Sequence, residues 1–360
     1  QAYLSENPVT PIPDTIAVRP PWKPFRDHAR IWLNAEALPG GFYDKDDIGT
    51  YYSKQAIDFI DQNMDQRFCL WLGFHEPHSP FNFPIEYKDR TVPSQISLAQ
   101  GSEEDDRWIP EVFSDLTEKE KKGITAAYYN SVEYLDKNVG MVIDHLEQKG
   151  LLEKTLIIYL GDHGYLLNHH KRFEKHTMWE EAVNAPLIIQ ANGRYGKNSV
   201  SDQLTEFVDL APTILEALGM NPMDGLQGKS LIPLISGQTN QHKSQIFSEF
   251  LADNKVMIRT NRWKYIYTSG KQDLAQGYAT GKGPSGVVHR LYDLENDPGE
   301  MTNLAAQTHL KDTVRQLQGR IIEHFRNTHP LAGKIPDNLE IEDQLSAFCE
   351  PPEGGDMDAK

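Results

Sequence analysis

Only two cysteines, Cys69 and Cys349, occur in 360 residues, which rules out a disulfide framework. No apolar run is long enough to cross a bilayer. Basic charge is in short supply: 36 Lys and Arg face 52 Asp and Glu, a net charge of −16, which argues against a nucleic-acid partner. The start, Gln1-Ala2-Tyr3, has neither basic residues nor an apolar stretch, so no targeting signal is visible. No internal repeat is found. What remains, 39% hydrophobic and 24% charged residues, is the balance of a globular enzyme-sized chain. Its length allows a large core in one large or two modest domains.

The chain divides by composition. Residues 1–48, with Pro20-Pro21-Trp22 and Pro39-Gly40-Gly41, read as a long surface loop. Asp47 to Asn63 is expected to be helical, with Tyr51, Ala56, Ile57 and Ile60 on one face. Phe68 to Gly73 and Thr155 to Leu160 are apolar runs that read as buried strands, with Cys69 a small core residue. Residues 79–115 are loop-rich and acidic around Glu103-Glu104-Asp105-Asp106. A long helix follows, capped by Asp115 with Glu118 at capping-box spacing, and stops at Gly150. Phe207 to Leu218 reads as a helix ending at Gly219. This alternation predicts an α/β fold, a mainly parallel sheet sandwiched by helices, with ligands at the C-terminal ends of its strands. After Gly237 the pattern changes. Ser244–Phe250, Lys255–Thr260, Trp263–Thr268 and Val287–Leu294 predict a small antiparallel sheet, with a helix over Leu310–Arg326 packed on it. Residues 331–360 read as an acidic wrapping arm or disordered tail.

Leu160-Gly161-Asp162-His163-Gly164 closes one apolar run. A carboxylate and an imidazole at the mouth of a strand, with Gly to turn the backbone, make a metal site; turn formers closing a strand are the plainer alternative. A basic cluster follows: His169, His170, Lys171, Arg172, Lys175 and His176. In so acidic a chain it suggests an anionic partner, against the plainer reading of a solvated face. Metal plus clustered cations points to sulfate or phosphate ester chemistry. Phe74-His75-Glu76-Pro77-His78 closes the other run, and its histidines can serve an anion or a metal, or pair with backbone carbonyls.

These segments, in this order, resemble the sulfatases of the alkaline-phosphatase-like superfamily, from about Tyr51 to about Leu304. Phe68 to Pro80 resembles the family's strand and His-x-Pro-His loop. Tyr128 to Gly150 resembles its long helix, and Ile157 to Gly164 its second metal-ligand strand. Lys175 to Ile189 resembles its sulfate-contacting lysine segment and the strand after it. Val208 to Thr213 and Leu226 to Leu231 match its connectors, and Leu291 to Glu300 the hallmark of its C-terminal subdomain. The resemblance implies a sulfuric ester hydrolase acting on a sulfated carbohydrate. Asp162 and His163 would hold a divalent metal, Ca2+ ahead of Mg2+. Lys175 would neutralise the sulfate, and His75 would bind it or protonate the leaving oxygen. His78, His169, His170, Lys171, Arg172 and His176 would be substrate-binding. Tyr165, Trp179 and His289 are further pocket candidates, with Trp179 better placed in the core. A periplasmic, secreted or lysosomal location follows by resemblance.

The chain departs from the family at one point. The paired aspartates and the Cys-x-Pro-x-Arg or Ser-x-Pro-x-Arg segment that yields formylglycine are absent. Cys349-Glu350-Pro351-Pro352-Glu353 has Glu where Arg is needed. The chain is therefore expected to be a sulfatase without its N-terminal part: 1–240 the remaining catalytic domain, 241–330 the C-terminal subdomain, 331–360 the tail. By itself it is expected to be inactive. The rivals are a phosphodiesterase or phosphonate monoester hydrolase of the same superfamily, and a truncated sulfatase that only binds anions. Nothing in the sequence specifies an oligomer.

Overall fold

The computed structural model describes residues 10–21, 29–107, 109–191, 195, 199–250, 255–269, 287–330 and 332–349. The chain forms two compact units: Gln1–Ala99 with Glu111–Thr155, and Gln100–Pro110 with Leu156–Lys360. Position 240 falls inside the second, so the boundary expected there does not separate the compact units.

Two helices organise the first unit: α1 (Ile48–Asn63) and α2 (Glu118–Gln148). Asp47 caps α1, its carboxylate accepting from Gly49 N at 2.8 Å. Thr117 caps α2, and Glu120 completes the capping box. The expected cap, Asp115, instead ends the preceding helical turn, its N–H donating to Glu111 O. Gly150, at φ 66°, closes α2 as expected. The seam between the helices is polar and buried: Thr50 N donates to Tyr134 OH at 3.0 Å, and Ser53 Oγ to Asn138 O at 3.0 Å.

Two expectations for this unit need correction. The stretch after residue 28 is no surface loop, because Ala29, Leu33, Ala35 and Ala37 are buried. A Cβ at Gly123 of α2 would collide with the Ala35 carbonyl oxygen, so glycine permits this approach. The run from Phe68 to Gly73 is extended but pairs with no strand among the described residues. Its exposure alternates, as a strand's does. Cys69 lies on the open face rather than in the core, beside Trp71, which is 89% exposed.

The second unit carries the metal-strand candidate, β1 (Ile157–Leu160), and the strand after the lysine segment, β2 (Leu187–Gln190). They pair antiparallel, with Tyr159 opposite Ile188. Parallel ladders were expected, but the paired strands among the described residues are antiparallel. With no further strand paired beside it among the described residues, β1 is half-buried rather than buried, and Ile188 is 61% exposed. The helix expected over Phe207–Leu218 forms as a short 3-10 turn followed by α3 (Leu210–Ala217).

The C-terminal strands form as expected: β3 (Gln245–Phe250), β4 (Lys255–Thr260), β5 (Trp263–Thr268) and β6 (Val288–Asp293), antiparallel in chain order. Alternation sorts the side chains onto two buried faces. Val256, Ile258, Tyr265, Tyr267 and Leu291 pack against α4 (Lys311–Thr328) through Leu317, Ile321 and Phe325. Met257, Ile266 and Tyr292 face the other way, against Leu166, Met178 and Trp179. The sheet thus supports from beneath the loop that follows β1. Residues 341–349 are not a loose tail. They form α5 (Ile341–Cys349), whose Leu345, Phe348 and Cys349 join the core, and Arg326 of α4 binds Gln344 at 2.8 Å. Apolar residues at helical spacing overcame the acidic composition.

Candidate functional site

Sequence reasoning assigned site residues to both units. His75 and His78 belong to the first; Asp162, His163, Lys175 and the basic cluster belong to the second.

Beyond β1 the backbone turns tightly. Gly164 N donates to Ala182 O at 2.8 Å, and a Cβ at Gly164 would collide with the Glu181 carbonyl oxygen. Close backbone approach is why this position is glycine. Asp162 projects outward, its side chain 86% exposed, with Oδ2 3.4 Å from His163 Nε2. His163 Nδ1 lies 2.8 Å from Gly164 O. As a donor there, Nδ1 leaves the Nε2 lone pair directed toward the aspartate side, the arrangement second-shell bonds give metal-ligating histidines.

The loop then folds back as a hairpin. Leu166 N donates to Glu174 O at 2.8 Å, and Asn168 N to Arg172 O at 2.9 Å. Asn168, His170 and Lys171 adopt positive φ at its tip. Because Leu166 opposes Glu174, residue 175 returns to the level of Tyr165, two residues past His163. Lys175 is held there half-buried. Burial pushes its ammonium below the ordinary lysine range, while the Asp162 charge pulls the other way. The hairpin therefore brings together Asp162, His163 and Lys175.

The rest of the basic cluster is largely neutralised. His170 is buried and its Nδ1 sits 3.1 Å from both oxygens of Asp105. Lys171 pairs with Asp106 and Arg172 with Glu174, each at 2.5 Å. His169 Nε2 is 3.6 Å from Glu181 Oε1. His176 stacks on Phe250, with ring centroids 5.4 Å apart. Sequence reasoning missed these partners; the acidic run Glu103 to Asp106 was the available signal, a complement to the run at 169–172. Of the other pocket candidates, Trp179 is core, donating Nε1–H to Tyr292 OH at 3.1 Å. Tyr165 OH donates to Phe173 O at 2.7 Å. His289 bonds Tyr265 OH at 2.7 Å and Glu342 at 3.2 Å.

In the first unit the His75 and His78 rings lie 5.0 Å apart and both residues are exposed. His78 is oriented by Ser79 O at 2.6 Å and by Trp32, edge-on at 6.3 Å. Between them Glu76 is the unforeseen group. Burial, with a lesser push from the Asp47 charge, lifts its carboxyl to about 7. Asp47 itself is buried, and burial raises its carboxyl although Tyr134 donates to it.

A sulfatase family model matches residues 23–220, and one for N-sulphoglucosamine sulphohydrolase, C-terminal, matches residues 168–327. Arylsulfatase K of Bos taurus is 32% identical over 278 residues, covering 68% of this chain and 49% of the relative. An arylsulfatase of Clostridium perfringens (strain 13 / Type A) is 26% identical over 301 residues, 80% of this chain and 60% of the relative. The chain spans about half the length of the curated relatives it matches. Among solved structures, phosphonate monoester hydrolase SpPMH from Silicibacter pomeroyi is similar at TM-score 0.73 and 20% identity, over 92% of this chain and 69% of that one. BT4656 in complex with its substrate D-glucosamine-2-N,6-O-disulfate is similar at TM-score 0.64 and 20% identity, over 84% of this chain and 72% of that one. These neighbours show the alkaline-phosphatase-like fold. With the family model spanning more than half of it, the chain belongs to the sulfatase family.

Proposed function

We propose that this chain carries the metal-binding and leaving-group side of a sulfuric ester hydrolase site that acts on a sulfated carbohydrate. The observation that supports it is the hairpin that returns Lys175 to Asp162 and His163. A half-buried ammonium beside a carboxylate–imidazole pair suits an anionic ester oxygen group. Asp162 Oδ2 and His163 Nε2 would hold the divalent cation, which when bound supplies Lewis-acid polarisation of a sulfate oxygen. Calcium is the ion the family resemblance implies; one oxygen and one nitrogen donor do not by themselves select it. Lys175 would neutralise the ester's anionic oxygens and the charge developing on the leaving oxygen. His75 would bind the sulfate or donate a proton to that leaving oxygen. His78, oriented by Ser79 O, would stand beside it as a substrate contact.

Lys171, Arg172 and His170 are occupied by carboxylates, so they are poor readers of a polyanion. His169 and His176, both half-buried, are left as the sugar-contacting candidates. A sulfated amino sugar as substrate is supported by the N-sulphoglucosamine sulphohydrolase match and by the disulfated glucosamine bound in BT4656. The formylglycine nucleophile of the family would come from outside these 360 residues, since no Cys-x-Pro-x-Arg or Ser-x-Pro-x-Arg segment occurs in them. A periplasmic, secreted or lysosomal setting accords with this reading. No helix among the described residues is long and apolar enough to cross a membrane.

The test is turnover of aryl sulfate against aryl phosphonate by the intact gene product, with Lys175→Ala in parallel. Sulfate turnover should dominate, and the variant should lose about 10²–10³-fold in kcat. A faster phosphonate reaction, or near-normal sulfate turnover by the variant, overturns the reading.

A further inference from the structure

A second cluster of donor atoms lies in the same unit, made of residues that the proposed ester site does not use. His170, Glu181 and Glu300 each place one ligand atom so that all three lie within 4.8 Å of one another. They come from the hairpin tip, the helical turn Glu180–Val183 and the segment after β6. His170 and Glu300 are 0% and 2% exposed.

His170 is built like a ligand. Its Nδ1 faces the Asp105 carboxylate at 3.1 Å, and its ring stacks on Trp179 at 3.9 Å with a 9° interplanar angle. A carboxylate on one ring nitrogen fixes the tautomer and raises the basicity of the other, the arrangement seen behind metal-bound histidines. The other nitrogen, Nε2, is buried, has no hydrogen-bond partner and lies in the cluster with the two glutamates. Glu181 Oε2 is likewise buried without a hydrogen-bond partner.

The charges do not balance around this point. Lys264 Nζ lies 3.0 Å from Glu300 Oε1, and the backbone N–H of Glu180 donates to Oε2 at 2.6 Å. Lys264 is shared with Glu180, 2.9 Å away, which also holds Arg259 at 2.9 Å, so these two cations serve Glu180 and Glu300 and leave Glu181 aside. The nearest partner of Glu181 is His169, at 3.6 Å. A buried imidazole nitrogen set beside one buried and one half-buried carboxylate is costly unless something positive stands between them. Donors around a tetrahedral ion at about 2.1 Å are roughly 3.4 Å apart, so the side chains must draw together by about an ångström to close the cluster.

We propose that His170, Glu181 and Glu300 bind a divalent transition-metal ion, Zn2+ by the chemistry of one imidazole nitrogen and two carboxylates. The ion ties the tip of the hairpin that carries Lys175 to the segment following β6. It is separate from any ion held by Asp162 and His163.

The experiment strips the full 360-residue chain with chelator, dialyses it against Zn2+ alone and counts bound metal by mass spectrometry. The Asp162→Asn, His163→Gln double variant should retain one Zn2+ per chain. Adding Glu181→Gln should abolish that binding, and Asp105→Asn in the same background should weaken it about 10–100-fold. Co2+ substituted into the double variant should give visible d–d bands that Glu181→Gln removes. Zn2+ lost already in the double variant, or unchanged by Glu181→Gln and Asp105→Asn, overturns the proposal. So does a nitrogen NMR spectrum that shows the His170 Nε2 protonated in the Zn2+-treated protein, since a proton would then occupy the place of the ion.

Discussion

Glu76→Gln removes a carboxyl that burial keeps protonated far above its ordinary range. The folded protein carries the Glu76 midpoint from 4.5 to about 7, chiefly through desolvation and secondarily through the Asp47 charge. Its Oε2 is buried without a hydrogen-bond partner. A raised acid pKa means the folded state holds the proton more tightly than the unfolded chain. The resulting stability is fully present below pH 4.5 and is lost as pH rises to about 7. One tenfold change in proton affinity is about 1.4 kcal/mol, so the loss across this window is about 3 kcal/mol. Glutamine cannot ionise and should not show it.

Urea unfolding of the full chain, followed by tryptophan fluorescence at pH 4 and at pH 8, measures the effect. Wild type should lose about 3 kcal/mol more than Glu76→Gln between the two conditions. At pH 4 the two proteins should be nearly equal, because Glu76 is then neutral in both states. Other titrating groups contribute equally to both proteins and cancel in the difference. Parallel stability profiles would refute the reasoning, since they would mean that Glu76 ionises in the folded protein as freely as in water.

Gly164→Ala should destabilise the second unit by about 1–3 kcal/mol, seen as a lower melting temperature, because its Cβ would strike the Glu181 carbonyl. Lys264→Met should cost about 3–5 kcal/mol in urea unfolding, since it leaves the buried Glu300 without its cation and Glu180 with Arg259 alone. Phe348→Ala should cost about 3–5 kcal/mol by the same measurement, as expected for a core aromatic and not for a residue in a solvated tail.

The fold was legible where a single element carries its own pattern. Val256, Ile258, Tyr265 and Tyr267 alternate along their strands, and the four-stranded sheet formed within two residues of the expected bounds. The start of α1 at Asp47 and the α2 stop at Gly150 are set by local chemistry, and both positions were legible. Pairing depends on what lies beside a segment, and a run of apolar residues does not state that. Phe68–Gly73 and Ile157–Leu160 look alike in sequence, yet one pairs with β2 and the other pairs with no strand among the described residues. Within 331–360, residues 341–349 pack as an arm would rather than as a disordered tail, while 350–360 lie outside the described residues. The acidic composition hid Leu345 and Phe348, which are three residues apart and so fall on one face of a helix.

The site divides along the same line. Asp162, His163 and Gly164 were legible because the turn after β1 needs that glycine and the two donors are adjacent in the chain. The six-residue basic cluster was legible as composition and misleading as electrostatics. A count of cations says nothing about the anions that meet them, and here Asp105, Asp106 and Glu174 take His170, Lys171 and Arg172 out of circulation. Lys175 differs from its neighbours in what surrounds it rather than in its type. It is the cluster member whose charge is both partly desolvated and set against Asp162. An ammonium in that position has lost water and has one carboxylate's field in return, which is why the proposed function gives the sulfate to Lys175. The paired cations at the hairpin tip instead hold the loop's shape, and their removal should alter how Lys175 is positioned more than how the sugar is read.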